Sequence, residues 1–119
     1  MKGHILIIED DRDMAEMLDF GLSRRGFTSL SVLSGQVGIK AIAAENPDVV
    51  LTDSNLPDIN GIKVCHEVAA KWPDLPVVMM TAFGSLDTAI EAIRAGAYDF
   101  ITKPLDMDLL ALTLQRAVD

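Results

Sequence analysis

The most informative stretch of this sequence is Val49-Val50-Leu51-Thr52-Asp53. Residues of strand character lead directly into a carboxylate, and Pro57 and Gly61 favour a turn soon afterwards. A short apolar, β-branched run is typical of a strand that is buried on both faces of a parallel sheet. Its last residue therefore lies at the carboxyl edge of the sheet, where open α/β sheets bind their ligands. We accordingly take Asp53 as the leading candidate for a functional residue.

The composition bounds the class of protein. The length of 119 residues predicts one domain over residues 1–119, and a hydrophobic share of 50% suffices for a packed core. The net charge of -8 argues against a nucleic-acid-binding surface, which has to be basic. Neither a membrane span nor a signal peptide is indicated, and the one cysteine, Cys65, cannot form an internal disulfide. We expect a cytoplasmic domain that binds neither nucleic acid nor membranes.

Short apolar runs alternate with amphipathic helical patterns along the chain. The predicted strands are His4–Ile8, Phe27–Leu33, Val49–Asp53, Val77–Met80 and Tyr98–Thr102. The signals for helix ends are Ser34 and Asp106 as caps, and Gly26, Asn46-Pro47 and Gly96 as stops. The third helix is expected from about Ile62 to Lys71. The fourth is expected to begin at Ser85 or Leu86, after a loop with Gly84, and to bury Ala89, Ile90 and Ile93.

Five strand–helix units in a row predict an α/β fold with helices on both faces of a parallel sheet. Thr and Ser on alternate positions mark the second strand as an edge strand. Together with right-handed crossovers, this pattern favours the strand order 2-1-3-4-5.

Polar side chains stand where four of the predicted strands end. They are Glu9 and Asp10 after the first strand, Asp53 at the third, Thr81 at the fourth and Lys103 after the fifth. The predicted order places these four strands side by side, so the side chains are expected to converge. Carboxylates about 4 Å apart repel by on the order of 4 kcal/mol at an effective dielectric constant of 20. A divalent cation would relieve that repulsion.

Mg²⁺, or Mn²⁺ in its place, suits such a set because it prefers hard oxygen ligands and keeps several waters. Asp10 and Asp53 can each supply an oxygen, and Asn55 is placed to supply a backbone carbonyl. Glu9 would reach the ion through a water. Lys103 can neutralise Asp53 or an oxygen group attached to it.

Other reactive residues are better explained by structural roles. His4 stands at the wrong end of its strand, and we expect His66 to be exposed or structural and Cys65 to be a small buried residue. No glycine-rich phosphate loop follows the first strand. Caps or turn formers are the expected roles of the remaining acidic residues near strand ends, Asp11, Asp13 and Asp106.

Four motifs combine these residues: Ile7-Ile8-Glu9-Asp10-Asp11, Leu51-Thr52-Asp53 to Gly61, Met79-Met80-Thr81-Ala82, and Ala95 to Pro104. Together they resemble the receiver domain of bacterial two-component response regulators, over the whole chain. The resemblance implies a flavodoxin-like (βα)5 three-layer sandwich. It also implies Mg²⁺-dependent transfer of a phosphoryl group from a sensor histidine kinase to Asp53, with Glu9 and Asp10 as the acidic pair. Such a domain catalyses its own phosphorylation and dephosphorylation but works mainly as a signalling switch.

By the same resemblance, Thr81 and Lys103 bind the phosphoryl oxygens, Phe100 is the switch aromatic, and the bond before Pro104 is cis. Phe100 replaces the commoner Tyr, so a switch cannot use a phenolic hydroxyl. The stretch from Met80 to Leu105 is most similar to receivers of enhancer-binding, sigma-54-dependent (NtrC-like) transcription activators. We therefore expect the output to be regulation of transcription.

The output surface is expected to lie on the fourth helix, fifth strand and fifth helix, and to form a homodimer on phosphorylation through Arg94, Tyr98 and Asp99. Two alternatives remain at this point. A flavodoxin-like cofactor binder would need aromatic residues and a phosphate loop at the switch point of the sheet. A pseudo-receiver would bind partners without being phosphorylated, although the complete set of site residues argues against it.

Overall fold

The computed structural model of the protein describes residues 2–82 and 85–119. Along these residues, five strands alternate with five helices. In chain order they are β1 (His4–Ile8), α1 (Arg12–Ser23), β2 (Thr28–Val32), α2 (Gly35–Glu45), β3 (Val49–Asp53), α3 (Gly61–Lys71), β4 (Val77–Thr81), α4 (Leu86–Arg94), β5 (Asp99–Thr102) and α5 (Met107–Val118). All strand pairs are parallel and the order is β2-β1-β3-β4-β5, which confirms the predicted sheet.

The sheet separates two hydrophobic cores. In β3, Val50 points into the α2–α3–α4 core, which also holds Ile39, Val64 and Ala92. The alternate residues of the same strand belong to the α1–α5 core, with the side chains Val49, Leu51, Leu18, Leu22, Leu110 and Leu114. Burying one such side chain contributes roughly 1.5–3 kcal/mol relative to leaving it in water. The arrangement is a three-layer sandwich, as the resemblance implied.

Burial along each strand follows its place in the sheet. Every residue of β3 and β4 is buried, as their continuous apolar runs predict. In β2, by contrast, each residue is exposed or half-buried, which fits its position at the edge. None of the helices among residues 2–82 and 85–119 is long and apolar enough to cross a membrane.

Short polar side chains cap four of the described helices; Asn60 caps α3, and the other three caps were predicted from the sequence. Asp11 accepts hydrogen bonds from the backbone N–H groups at the start of α1, Ser34 does so for α2 and Asp106 for α5. These caps confirm the roles predicted for the three residues. Asp13 is not a cap. It lies within the first turn of α1, where its negative charge interacts favourably with the positive end of the helix dipole.

The inward face of α4 differs from the prediction. Ala89 and Ala92 are buried, whereas Ile90 is 41% and Ile93 is 46% exposed. In a helix of nine residues, the alanine stripe and the isoleucine stripe have the same spacing, so periodicity alone does not decide which one faces the sheet. The small side chains let the helix lie close to the sheet, and the larger ones are turned outward.

Several predicted boundaries are off by a single residue. The strand β2 lacks Phe27 and Leu33, β5 lacks Tyr98, and α3 begins at Gly61 rather than at Ile62. Element ends fray and commonly differ by this much between a sequence pattern and a structure. The loop position expected for Gly84 lies outside the described residues.

Candidate functional site

The carboxyl ends of β1, β3 and β5 bring three charged side chains together. The Nζ atom of Lys103 lies 3.1 Å from Oδ2 of Asp53 and 3.3 Å from Oε1 of Glu9. These ion pairs join residues that are 50 and 94 positions apart in the chain. They arise because parallel strands that are neighbours in the sheet all end at the same edge. The predicted convergence of these three residues is therefore present.

Three carboxylates form the acidic part of the site. One oxygen from each of Glu9, Asp10 and Asp53 can be chosen so that all three lie within 4.8 Å of one another. Glu9 is 1% and Asp53 is 7% exposed, whereas Asp10 is open to solvent. Three carboxylates against the single ammonium of Lys103 leave a formal charge of about -2 when all are ionised. The cluster is therefore short of positive charge.

The pKa values of two groups record this imbalance. Burial, followed by the hydrogen bond with Asp53 and the charge of Asp53, raises the pKa of Glu9 from 4.5 to about 7. Lys103 only partly offsets that shift. For Lys103 itself, burial lowers the pKa, but its hydrogen bonds and ion pairs with Asp53 and Glu9 outweigh burial and raise it. Lys103 thus remains charged, while Glu9 holds a proton through part of the physiological range.

The donor set fits a hard divalent cation, since it combines closely spaced carboxylate oxygens with a deficit of positive charge. The loop after β3 stays close to this set at its start. There the backbone N–H of Asn55 donates to Oδ1 of Asp53 over 3.3 Å, and the side chain of Asn55 is exposed. Asn55 therefore lies beside Asp53, and the predicted role of its backbone carbonyl as a metal ligand stays a prediction.

Thr81 ends β4, one register position beyond Met80, which pairs with Asp53. Its backbone carbonyl accepts a hydrogen bond of 2.7 Å from the N–H of Lys103. Its side chain is completely buried, and its hydroxyl oxygen has no hydrogen-bond partner among the described residues. A buried polar group without a partner costs roughly 1–3 kcal/mol. The hydrogen-bonding capacity of this hydroxyl is thus unused among the described residues.

Phe100 lies on β5, where it pairs with Met79. It is half-buried against the α2–α3–α4 core and lines a groove of about 310 Å³ between α4 and β5. Ile90 and Ile93 line the same groove. The peptide bond between Lys103 and Pro104 is cis, as the resemblance implied.

Gly61, at the start of α3, was predicted only as part of a turn, and no role was predicted for Asp58 of the β3–α3 loop. A side chain at Gly61 would collide with the backbone carbonyl of Asp53, so only glycine allows the loop to close. Asp58 accepts hydrogen bonds from the N–H groups of Gly35 and Gln36, and the bond from Gln36 is the main cause that lowers the pKa of Asp58. The partners of Asp58 are 22 and 23 positions away, so no local pattern indicates them.

The remaining candidates have structural surroundings. His4 lies at the opposite edge of the sheet, with its ring nitrogens 2.8 Å from the hydroxyl of Thr28 and 3.1 Å from Glu45. His66 is exposed on α3. Burial raises the pKa of the Cys65 thiol to about 12, which leaves it unreactive.

Comparison with known proteins agrees with this geometry. The family model described as the response regulator receiver domain matches residues 5–115. The chain is 38% identical to the regulatory protein AtoC of Escherichia coli over 114 residues, which cover 96% of this chain and 25% of AtoC. It is 32% identical over 117 residues to the DNA-binding transcriptional regulator NtrC of Proteus hauseri, covering 98% of this chain and 25% of NtrC. The chain thus spans about a quarter of the length of these relatives.

A solved structure gives the same result for the fold. The receiver domain of NtrX from Brucella abortus superposes with a TM-score of 0.91 at 34% identity, covering 96% of this chain and 97% of that one. Its fold is shared over nearly the whole length of both chains. On the sequence match, the shared fold and the charged strand ends together, the chain belongs to the receiver domain family of two-component response regulators.

Proposed function

We propose that Asp53 accepts a phosphoryl group from the phosphohistidine of a sensor histidine kinase, in a reaction that depends on Mg²⁺. The observation that carries this proposal is the 3.1 Å contact between Asp53 and the Lys103 ammonium at the end of the central buried strand. Glu9 is a poorer nucleophile because it is 1% exposed and its pKa is raised to about 7. Asp10 is open to solvent, and no contact with Lys103 is found for it among the described residues.

The covalent step needs little machinery beyond a placed nucleophile. A carboxylate oxygen of Asp53 attacks the phosphorus in line with the leaving imidazole. The P–O bond forms as the P–N bond breaks, and the imidazole of the kinase leaves with the electron pair of that bond. The product is an acyl phosphate, which brings about two negative charges to the end of β3.

Two side chains are placed to stabilise those charges. The ammonium of Lys103 lies within hydrogen-bond distance of Asp53. The buried hydroxyl of Thr81 has no hydrogen-bond partner among the described residues. Both can donate to the oxygens of the transferring group, and donors that are fixed in advance stabilise a transition state strongly.

The oxygens of Asp10, Asp53 and the Asn55 backbone carbonyl would hold Mg²⁺ or Mn²⁺, with Glu9 reached through a water. When bound, the ion neutralises the negative charge that develops on the phosphoryl oxygens. The same charge neutralisation would offset the charge of Asp53, which adds to the effect of burial in raising the pKa of Glu9.

We further propose that phosphorylation changes the surface formed by α4, β5 and α5. A Thr81 hydroxyl drawn toward the phosphoryl group leaves space into which the half-buried Phe100 can turn. Completing the burial of an aromatic ring contributes at most roughly 1.5–3 kcal/mol, and about 1.4 kcal/mol already shifts an equilibrium tenfold. A change of that size is enough to alter which conformation of the surface predominates.

A second copy of the chain is the proposed partner of this surface. Ile90, Ile93 and Tyr98 are exposed there, and the two isoleucines line a mostly apolar groove. Arg94 and Asp99 carry opposite charges on neighbouring elements, so a two-fold axis can pair each with the other in the partner. Regulation of transcription is the proposed output, since the relative NtrC is named a DNA-binding transcriptional regulator.

The dependence of phosphoryl uptake on the acidic cluster tests this function. The protein is incubated with acetyl phosphate, with Mg²⁺ or with EDTA, and its intact mass is followed over time. The wild type should gain one phosphoryl group with Mg²⁺ only, and Asp10→Asn should slow the gain by about tenfold or more. Asp11→Asn is the matched control, because asparagine also caps a helix and should leave the rate unchanged. Equal uptake in Mg²⁺ and EDTA would contradict the proposal.

A further inference from the structure

Backbone hydrogen bonds hold both ends of the β3–α3 loop, residues 54–60. The N–H of Ser54 donates to the carbonyl of Met80 over 2.9 Å, and the N–H of Gly61 donates to the carbonyl of Ser54 over 2.9 Å. Both ends of the loop are thereby fixed next to Asp53. The position of the residues between them depends on other contacts.

The tip of the loop has one polar attachment to another element. Apart from the bond that the N–H of Asn55 donates to Asp53, the hydrogen bonds from residues 55–59 to another element in the described part of the chain are those that Asp58 accepts from Gly35, at 2.9 Å, and from Gln36, at 2.8 Å. The next residue, Ile59, lies directly over Gly35, where a larger side chain would overlap with it. The loop therefore docks onto the first turn of α2 through Asp58 and Ile59.

The first turn of α2, onto which the loop docks, belongs to a helix that is held by core packing and by a cap. Ile39 and Ile42 hold this helix in the α2–α3–α4 core, and Ser34 caps it through the N–H of Val37. The N–H groups of Gly35 and Gln36 have no acceptor within the helix, and they carry the positive end of its dipole. A carboxylate there makes charge-assisted bonds with both groups.

We propose that Asp58 is a positioning residue for the metal site, because it fixes the loop from which Asn55 presents its backbone carbonyl. This inference rests on the proposed function, in which that carbonyl is a ligand of Mg²⁺. Residues that orient metal ligands typically change metal affinity by about 10–100-fold when they are removed. Because Asp58 is exposed, we expect the lower end of that range.

The test compares Mg²⁺ affinity, from amide chemical shifts, in the wild type and four variants. Asp58→Ala should weaken binding roughly tenfold. Asp58→Asn removes the same charge but keeps one acceptor for the helix N–H groups, so it should weaken binding clearly less. Ser34→Ala removes the other cap of α2, and should lower stability without changing the affinity. Asp10→Asn should weaken binding strongly.

The outcomes distinguish three cases: Asp58 acts by positioning the loop, Asp58 acts only through its charge, or the proposed metal site itself is wrong. Equal losses in Asp58→Ala and Asp58→Asn would show that only the charge matters, and would overturn the positioning role. Unchanged affinity in Asp58→Ala, with Asp10→Asn impaired, would overturn this inference and leave the proposed function standing. Unchanged affinity in Asp10→Asn would overturn the metal site and the inference together.

A measurement on the wild type keeps the inference testable if Asp58→Ala does not fold. Coupling between two sites is reciprocal, so Mg²⁺ that is held through the loop must also strengthen the contact between the loop and α2. Hydrogen exchange at the amides of Gly35 and Gln36 should slow when Mg²⁺ is added, whereas exchange at the Val37 amide, which Ser34 caps, should change less. Identical changes at all three amides would contradict the role of Asp58.

Discussion

At Thr81, stability and function have opposite requirements. The buried hydroxyl finds no partner among the described residues, yet the proposed reaction needs a donor at that position. Thr113 offers the opposite case, since its hydroxyl, also largely buried, donates to the carbonyl of Leu109 over 2.9 Å. The difference between these two threonines can be measured with one kind of substitution.

Thr81→Val should stabilise the unphosphorylated protein by about 1 kcal/mol, because an apolar methyl replaces an unsatisfied hydroxyl. Thr113→Val should destabilise it by about 0.5–1.5 kcal/mol, since a hydrogen bond is lost. Urea unfolding of both variants gives the two free energies. Phosphoryl uptake by Thr81→Val should nevertheless be slower than in the wild type. Destabilisation of Thr81→Val to the same extent as Thr113→Val would contradict this account of the hydroxyl.

Glu9 should give the metal-free protein an unusual dependence on pH. Burial and the neighbouring Asp53 raise its pKa from 4.5 to about 7 in the folded state, so between these values the folded protein binds more protons than the unfolded chain. The free energy of unfolding therefore falls as the pH rises through this window, by about 3 kcal/mol at most. Denaturant unfolding in EDTA at several pH values measures the fall. Glu9→Gln should remove it, and an unchanged slope in that variant would mean that another group is responsible.

The site residues that could be predicted from the sequence are those that stand at the ends of strands. Asp53, Lys103 and Glu9 were placed together because a parallel sheet brings the ends of its strands to one edge. Asp58 was not found, since its partners lie on a helix that precedes it by more than 20 positions. The raised pKa of Glu9 was also out of reach, because it depends on burial to 1% exposure.

At the scale of elements, α4 is the helix whose role depends most on orientation. Its buried side chains are Ala89 and Ala92, so the helix lies close to the sheet and presents Ile90 and Ile93 to solvent. The sequence predicted burial of Ala89 together with Ile90 and Ile93. The structure confirms Ala89 and contradicts the two isoleucines, because the smaller side chains are the ones that face the sheet. The exposed isoleucines become candidates for a protein contact instead.

Ile93→Glu tests the dimer at this surface. Because Ile93 is 46% exposed, the substitution should change the free energy of unfolding little. Beryllofluoride and Mg²⁺ are expected to raise the dimer fraction of the wild type, and Ile93→Glu should abolish that increase, since it places a charge in the proposed apolar contact. Analytical ultracentrifugation measures that fraction. Val37→Glu, at a site 52% exposed on α2, is the matched control and should dimerise like the wild type. Equal dimerisation in Ile93→Glu would place the contact elsewhere.

At the scale of the whole molecule, the central strand β3 is held from both faces of the sheet. The α1–α5 core holds one face of β3 and the α2–α3–α4 core holds the other, so Asp53 stands at the end of a strand that is packed from both sides. The groove beside Phe100 lies between α4 and β5, and β4 separates β5 from β3, the strand that carries Asp53. In the proposed switch, a new charge at Asp53 acts on Thr81 of β4 and Phe100 of β5.

Locating the phosphoryl group tests most directly whether Asp53 is the residue that accepts it. The protein is phosphorylated with acetyl phosphate and Mg²⁺, the acyl phosphate is trapped by borohydride reduction, and the modified residue is identified by mass spectrometry of peptides. If Asp53 is the acceptor, we expect modification at Asp53 alone, and none at this position in Asp53→Asn. Modification at Asp10, Asp11 or His66 instead, or full labelling of Asp53→Asn, would contradict it.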